Sequence, residues 1–130
     1  MTGRTVLIVE DDPTNGLLYA DVLESEGFSI IQRGNPGELD SSLDDATLSA
    51  VITDIRMGNG GGLAVLAWVR SRSRFEGVPV IAVTGSSTAQ ERAELELAGF
   101  DSVLVKPVSI RLLAETVLRA VESSRGGGVG

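Results

Sequence analysis

The stretch Ala50-Val51-Ile52-Thr53-Asp54 is apolar without alternation and ends in a single carboxylate, followed after Ile55-Arg56-Met57 by Gly58 and a string of further glycines. A strand wetted on one face alternates polar and apolar residues, whereas a continuous β-branched and aliphatic run suits a strand covered on both faces, as in parallel α/β sheets. Thr5-Val6-Leu7-Ile8-Val9 and Val78-Pro79-Val80-Ile81-Ala82-Val83-Thr84 read the same way. A chain with several such runs must supply helices for both faces of its sheet. Asp54, at a strand's carboxyl end, stands where ligand chemistry collects in open α/β sheets. A lone strand-end acid is more often a turn former, so the weight of Asp54 depends on what the other strands deliver to the same edge.

In chain order, Thr5 to Val9 runs into the acidic Glu10-Asp11-Asp12 and then Pro13, which predicts a helix capped by Asp12. Leu17, Leu18, Val22 and Leu23 recur at helical spacing through Glu26, and Gly27-Phe28 supplies a left-handed stop with an apolar anchor. A strand over Phe28 to Gln32, the turn Gly34-Asn35-Pro36-Gly37 and a weak helix over Glu38 to Ala46, with Leu39 and Leu43 inward, follow. After the Asp54 strand, the glycine loop leads into a helix over Leu63 to Ser73, in which Leu63, Leu66, Ala67 and Val69 can face the sheet and Trp68 is half-buried. The strand ending at Thr84 gives way to a helix in which Ser87-Thr88-Ala89-Gln90 resembles a capping box, stopped by Gly99-Phe100. Ser102 to Val105 is a fifth strand ending at Lys106-Pro107, and Ser109 can cap a last helix reaching about Glu122. Strands and helices alternating five times predict one doubly wound α/β domain over 1–123 with a flexible Gly-rich tail over 124–130.

Composition narrows the chemistry. The chain has 130 residues, no cysteine and no histidine, so thiolate nucleophiles, disulfides and the usual zinc ligands are absent and carboxylates, hydroxyls and lysine must carry any reaction. A net charge of −7 opposes unspecific binding to nucleic acid or an anionic membrane. No leader pattern opens the sequence and its apolar runs are too short to span a bilayer, so a cytoplasmic location is expected.

Collected together, the strand ends carry Glu10 and Asp11, Asp54, Thr84 and Lys106. With strand order 2-1-3-4-5 the first and third strands flank the topological switch point, and all five residues approach one crevice. Three clustered carboxylates repel one another unless a cation is present, and a hard ion such as Mg²⁺, with oxygen ligands and retained waters, suits that charge. Asp54 can then attack phosphorus, while Lys106, Thr84 and the cation offset charge on the transferred group. With no histidine in the chain, a phosphohistidine donor would have to come from a partner, or the phosphoryl group from a small acyl phosphate. Taken singly each residue has a bland reading, as a cap, a turn hydroxyl or a strand terminator. The five together at this spacing do not.

The chain resembles the receiver domain of two-component response regulators over about Thr5 to Glu122. The resemblance rests on Leu7-Ile8-Val9-Glu10-Asp11-Asp12, on Asp54-Ile55-Arg56-Met57 with Gly62, on Val83-Thr84-Gly85 and on Val105-Lys106-Pro107. It implies a flavodoxin-like three-layer sandwich with Asp54 as phosphoacceptor. Asp11 would bind Mg²⁺ directly, Glu10 mainly through water, and the main-chain carbonyl of Arg56 would complete the protein ligands. Thr84 would be the switch hydroxyl and Lys106 the contact to phosphoryl oxygens. Implied partners are a histidine kinase or histidine phosphotransfer protein, and a downstream protein on the face of the fourth predicted helix, fifth strand and fifth predicted helix.

Two departures stand out: Gly58 replaces the family's usual proline, which predicts a looser loop, and Val103 occupies the usual aromatic switch position. The expected function is a phosphorylation-controlled signalling module without an output domain of its own, either stand-alone or a receiver of a larger hybrid kinase. An aspartyl-nucleophile phosphatase of the haloacid dehalogenase type would carry a second Asp two residues after the nucleophile, where this chain has Arg56. A flavin-binding module would need a hydroxyl-rich phosphate loop where Glu10-Asp11-Asp12 stand.

Overall fold

A computed structural model of the chain describes residues 4–86 and 88–129, with the backbone alone described over 125–129. Five parallel strands, β1 (Thr5–Val9), β2 (Ser29–Arg33), β3 (Leu48–Asp54), β4 (Val80–Thr84) and β5 (Ser102–Val105), form one sheet in the order β2-β1-β3-β4-β5. The central strands are buried on both sides, as their unbroken apolar runs require. Helices α1 (Pro13–Ser25) and α4 (Ile110–Val129) supply Tyr19, Leu23, Leu113, Val117 and Val121 to the core on one face. On the other, α2 (Gly61–Arg70) and α3 (Ala89–Ala98) supply Val65, Leu66, Val69 and Leu95, joined by Phe75. The three-layer, doubly wound α/β sandwich expected from the alternation of elements is therefore the fold.

Both Gly-Phe pairs end their helices by the same device. Gly27 has φ 96° and Gly99 φ 122°. The amides of Phe28 and Gly27 donate to the carbonyls of Leu23 and Glu24, and those of Phe100 and Gly99 to Leu95 and Glu96. This double closure satisfies the last carbonyls, and each phenylalanine is then buried in the core next to its helix.

Several expectations are corrected. The helix predicted over Glu38 to Ala46 is absent; two short 3₁₀ turns, Pro36–Glu38 and Ser41–Leu43, stand there. Asn35 accepts from the Gly37 amide and Asp40 from the Ser42 amide, and such local side-chain bonds compete with helix. Leu39 and Leu43 are nevertheless inward, as read. In α1 the buried face is Gly16, Tyr19, Ala20 and Leu23, leaving Leu17 and Leu18 exposed. In α2, Val65, Leu66 and Val69 are buried while Leu63 and Ala67 are exposed.

Boundaries shift as well. The Ser87 position of the predicted cap lies outside the described residues, and α3 is capped one residue later, with the Thr88 hydroxyl accepting from the Glu91 amide. Helix α4, capped by Ser109 as expected, continues past Glu122 through Val129, where a flexible tail over 124–130 was predicted. Ser124 ties that turn down by donating to the Gly77 carbonyl, and Gly130 lies outside the described residues.

Candidate functional site

Ladder register brings the strand-end residues level. Val9 pairs with Thr53, Thr84 with Val105, and Asp54 with Val83. Beyond the strands, the Glu10 amide donates to Arg33, that of Ile55 to Val83 and that of Lys106 to Thr84. The side chains of Glu10, Asp11, Asp54, Thr84 and Lys106 therefore leave the sheet at one edge. Asp12 instead starts α1, its carboxylate accepting from the Thr14 amide at 2.9 Å, so the acidic run divides as read, two acids in the crevice and one cap.

Glu10, Asp11 and Asp54 each offer a carboxylate oxygen within 4.8 Å of the others. Asp54 is 6% exposed and Glu10 7%, while Asp11 opens to solvent. Lys106 donates from Nζ to Asp54 Oδ2 at 2.8 Å, and the Ile55 amide donates to Asp54 Oδ1 at 2.8 Å. Burial disfavours the Lys106 charge, but the bond to Asp54 and the fields of Glu10 and Asp54 outweigh it and raise its pKa above the ordinary lysine value.

Glu10 is the poorly compensated acid. Its Oε2 accepts from the Asp12 amide at 3.0 Å, but its buried Oε1 has no partner among the described residues. Burial, with Asp54 and Asp11 adding to it, pushes its pKa up to about 7 against the opposing pull of the Asp12 amide and Lys106. Oxygen donors of three clustered acids, one with an orphaned buried atom, fit a hard divalent cation such as Mg²⁺.

Two hydrogen bonds tie the loop after Asp54 to its neighbours. Asn59, at φ 59°, donates to Asn35 Oδ1 at 2.8 Å, and the Gly62 amide donates to the Ile55 carbonyl at 2.9 Å. A Cβ on Gly62 would stand 2.8 Å from the Asp54 carbonyl oxygen, so the start of α2 packs directly on the backbone that carries the acid. Arg56 lies at the rim with its side chain 77% exposed, and its carbonyl receives no hydrogen bond among the described residues.

Two residues near the site were not singled out from sequence. Glu91, in the first turn of α3, accepts from the Thr84 hydroxyl at 3.2 Å and faces Arg56 at 3.5 Å. The spacing Thr88-Ala89-Gln90-Glu91 marks it as a first-turn acid, but its reach to Thr84 is a tertiary fact. Tyr19 is buried in α1, and its phenol is raised by burial and then by the negative field of Glu10.

Comparison with known proteins follows the same lines. The family described as response regulator receiver domain matches residues 6–118. The polar-differentiation response regulator DivK of Brucella anthropi is 27% identical over 114 residues, covering 88% of this chain and 93% of that protein. The sensor kinase/phosphatase CqsS of Vibrio cholerae is 27% identical over 115 residues, and there the match spans 88% of this chain but 17% of the relative. The solved receiver domain of a signal transduction histidine kinase from Syntrophus aciditrophicus superposes with a TM-score of 0.80 at 27% identity, covering 92% of this chain and 90% of that one. With its strand order, its edge of acids and lysine, and a family match across most of its length, the chain belongs to the response regulator receiver domains of two-component signalling.

Proposed function

We propose that Asp54 accepts a phosphoryl group from a partner's phosphohistidine, or from a small acyl phosphate, and that the acyl phosphate switches binding to a downstream protein. The observation that carries this reading is the buried Asp54 carboxylate at the end of β3 with Lys106 Nζ at 2.8 Å and two further carboxylates around it. An Asp54 oxygen attacks phosphorus, the bond from phosphorus to the donor's nitrogen or oxygen breaks, and the leaving imidazole or carboxylate departs with the electron pair. Lys106, already paired with Asp54, offsets the charge of the transferred group, and the Thr84 hydroxyl can donate to one of its oxygens. Glu10, Asp11, Asp54 and the Arg56 carbonyl would hold Mg²⁺. When bound, that ion supplies neutralisation of the phosphoryl oxygens.

The absence of a second acid two residues beyond Asp54 disfavours a phosphatase: Arg56 stands there, and its guanidinium turns to Glu91. Reaction with small phosphodonors and slow self-hydrolysis are then the chain's only chemistry. Among the described residues no helix is long and apolar enough to cross a membrane, and a cytoplasmic location is part of the same proposal. The relatives include both a protein of nearly this length and one far longer, so the same site serves a stand-alone regulator or a receiver within a kinase.

The partner face is that of α3, β5 and α4. A cleft of about 770 Å³ opens on that face toward the amino ends of β4 and β5, lined by Gly77, Pro79, Asp101, Val103, Thr116 and Arg119 among others. Val103 is part-buried against the α2–α3 side of the core and has no ring to swing. The readout therefore passes through the segment after Thr84 and the start of α3. Incubation with acetyl phosphate and Mg²⁺, followed by intact mass, tests the proposal. One added phosphoryl group is expected on the wild type and none on Asp54→Asn, because an amide is no comparable nucleophile; full labelling of Asp54→Asn would falsify it.

A further inference from the structure

Thr84 is 1% exposed at the end of β4, and its hydroxyl is engaged on both sides. It accepts from the Ser86 amide at 3.2 Å and donates to Glu91 Oε1 at 3.2 Å. The other oxygen of Glu91 lies 3.5 Å from Nη2 of Arg56. One carboxylate in the first turn of α3 therefore bridges the end of β4 and the loop that follows the phosphoacceptor.

A hydroxyl has one proton to donate. Thr84 cannot give it to Glu91 and to a phosphoryl oxygen on Asp54 at once. Resting on the reading of Asp54 as phosphoacceptor, we propose that Glu91 is a positioning residue, a latch that holds the Thr84 hydroxyl in the unphosphorylated protein and loses it when Asp54 is phosphorylated. The two arrangements compete for the same proton, so whatever strengthens the bond to Glu91 lowers the population ready for the phosphoryl group. Release of Thr84 also frees the carboxylate that faces Arg56, and the guanidinium can then turn to a phosphoryl oxygen.

The two arms of the latch differ in strength. A hydroxyl donating to a carboxylate is charge-assisted and here part-buried. The Arg56 arm is longer and its side chain is 77% exposed, so solvent screens it. Thr84 is the arm that sets the equilibrium. Because the Glu91 amide is itself bound to the Thr88 hydroxyl at 3.2 Å, loss of the carboxylate's grip is felt at the cap of α3, at the edge of the proposed partner face.

The test compares labelling rates with acetyl phosphate and Mg²⁺ for the wild type, Glu91→Ala, Glu91→Gln, Thr84→Ala and the double variant Glu91→Ala/Thr84→Ala. Removing the competing acceptor is expected to speed labelling roughly three- to tenfold in Glu91→Ala. Glu91→Gln, whose amide oxygen still accepts from Thr84 but in a weaker, uncharged bond, should label at a rate between those of the wild type and Glu91→Ala, and the double variant should label as Thr84→Ala does. Helix weakening from a lost first-turn acid would not depend on Thr84. A Glu91→Ala rate equal to that of the wild type, or an acceleration that persists without Thr84, overturns the latch. A wild type that takes no label overturns the reading of Asp54 and the latch together, whereas a labelled wild type with unchanged variants overturns the latch alone.

Discussion

Glu10 shows how a single residue ties the site's chemistry to the stability of the fold. Its folded pKa of about 7 lies above the ordinary carboxylate value of 4.5, so between those values the folded state binds more protons than the unfolded chain. Stability from this group is therefore fully present below about pH 4.5 and is lost as pH rises to 7, by of the order of 3 kcal/mol. In metal-free protein, denaturant titrations across that range should show the loss in the wild type and not in Glu10→Gln. A difference between the two that does not change with pH would contradict it. The division of the acidic run makes a second prediction. Asp11→Asn should weaken Mg²⁺ binding far more than Asp12→Asn, since Asn still caps α1; calorimetric titrations finding both equally impaired would mean that the metal is held elsewhere. Asp54, Lys106, Thr84 and the acids were legible because each ends an apolar run, and strand ends share an edge in a parallel sheet. Glu91 was not, because a charged residue on a polar helix shows nothing of what its side chain reaches across a loop.

Among the elements, the five strands were legible from hydrophobic continuity and two of the helix stops from Gly-Phe pairs. The segment between β2 and β3 departs from the helix expected of it because the spacing of Leu39 and Leu43 is also satisfied by two 3₁₀ turns, each starting from its own side-chain cap. Likewise Leu63 has the spacing of a sheet-facing residue in α2 and is exposed, while in α1 the small Gly16 and Ala20 and the large Tyr19 set the buried face and leave Leu17 and Leu18, which share helical spacing with Leu23, outside it. The junction of β3 and α2 carries a sharper constraint. Because a methyl on Gly62 would press on the Asp54 carbonyl and the Ile55 side chain, Gly62→Ala should cost about 1–3 kcal/mol of stability and slow phosphoryl acceptance by displacing Asp54. Wild-type stability and labelling rate in that variant would show that the loop gives way freely. Gly58, by contrast, has open space around it, and the next residue, Asn59, donates to Asn35 Oδ1 at 2.8 Å.

At the scale of the whole molecule, the sheet is a platform with α1 and α4 on one face and α2 and α3 on the other, and the loops at its carboxyl edge carry the site. The site and the α3–β5–α4 face meet at Thr84, which ends β4 and touches the first turn of α3. Under the proposed function, this contact would give a phosphoryl group on Asp54 a short path to the proposed partner surface without any aromatic residue at 103. All of it depends on where the phosphoryl group goes. The most direct measurement is to label the wild type with acetyl phosphate and Mg²⁺, reduce the acyl phosphate with borohydride, which converts a phosphorylated aspartate to homoserine, and locate that change by peptide mass spectrometry. The account predicts homoserine at position 54 alone; its appearance at position 11 or 12 instead, or at no position in protein that has taken up label, would contradict it.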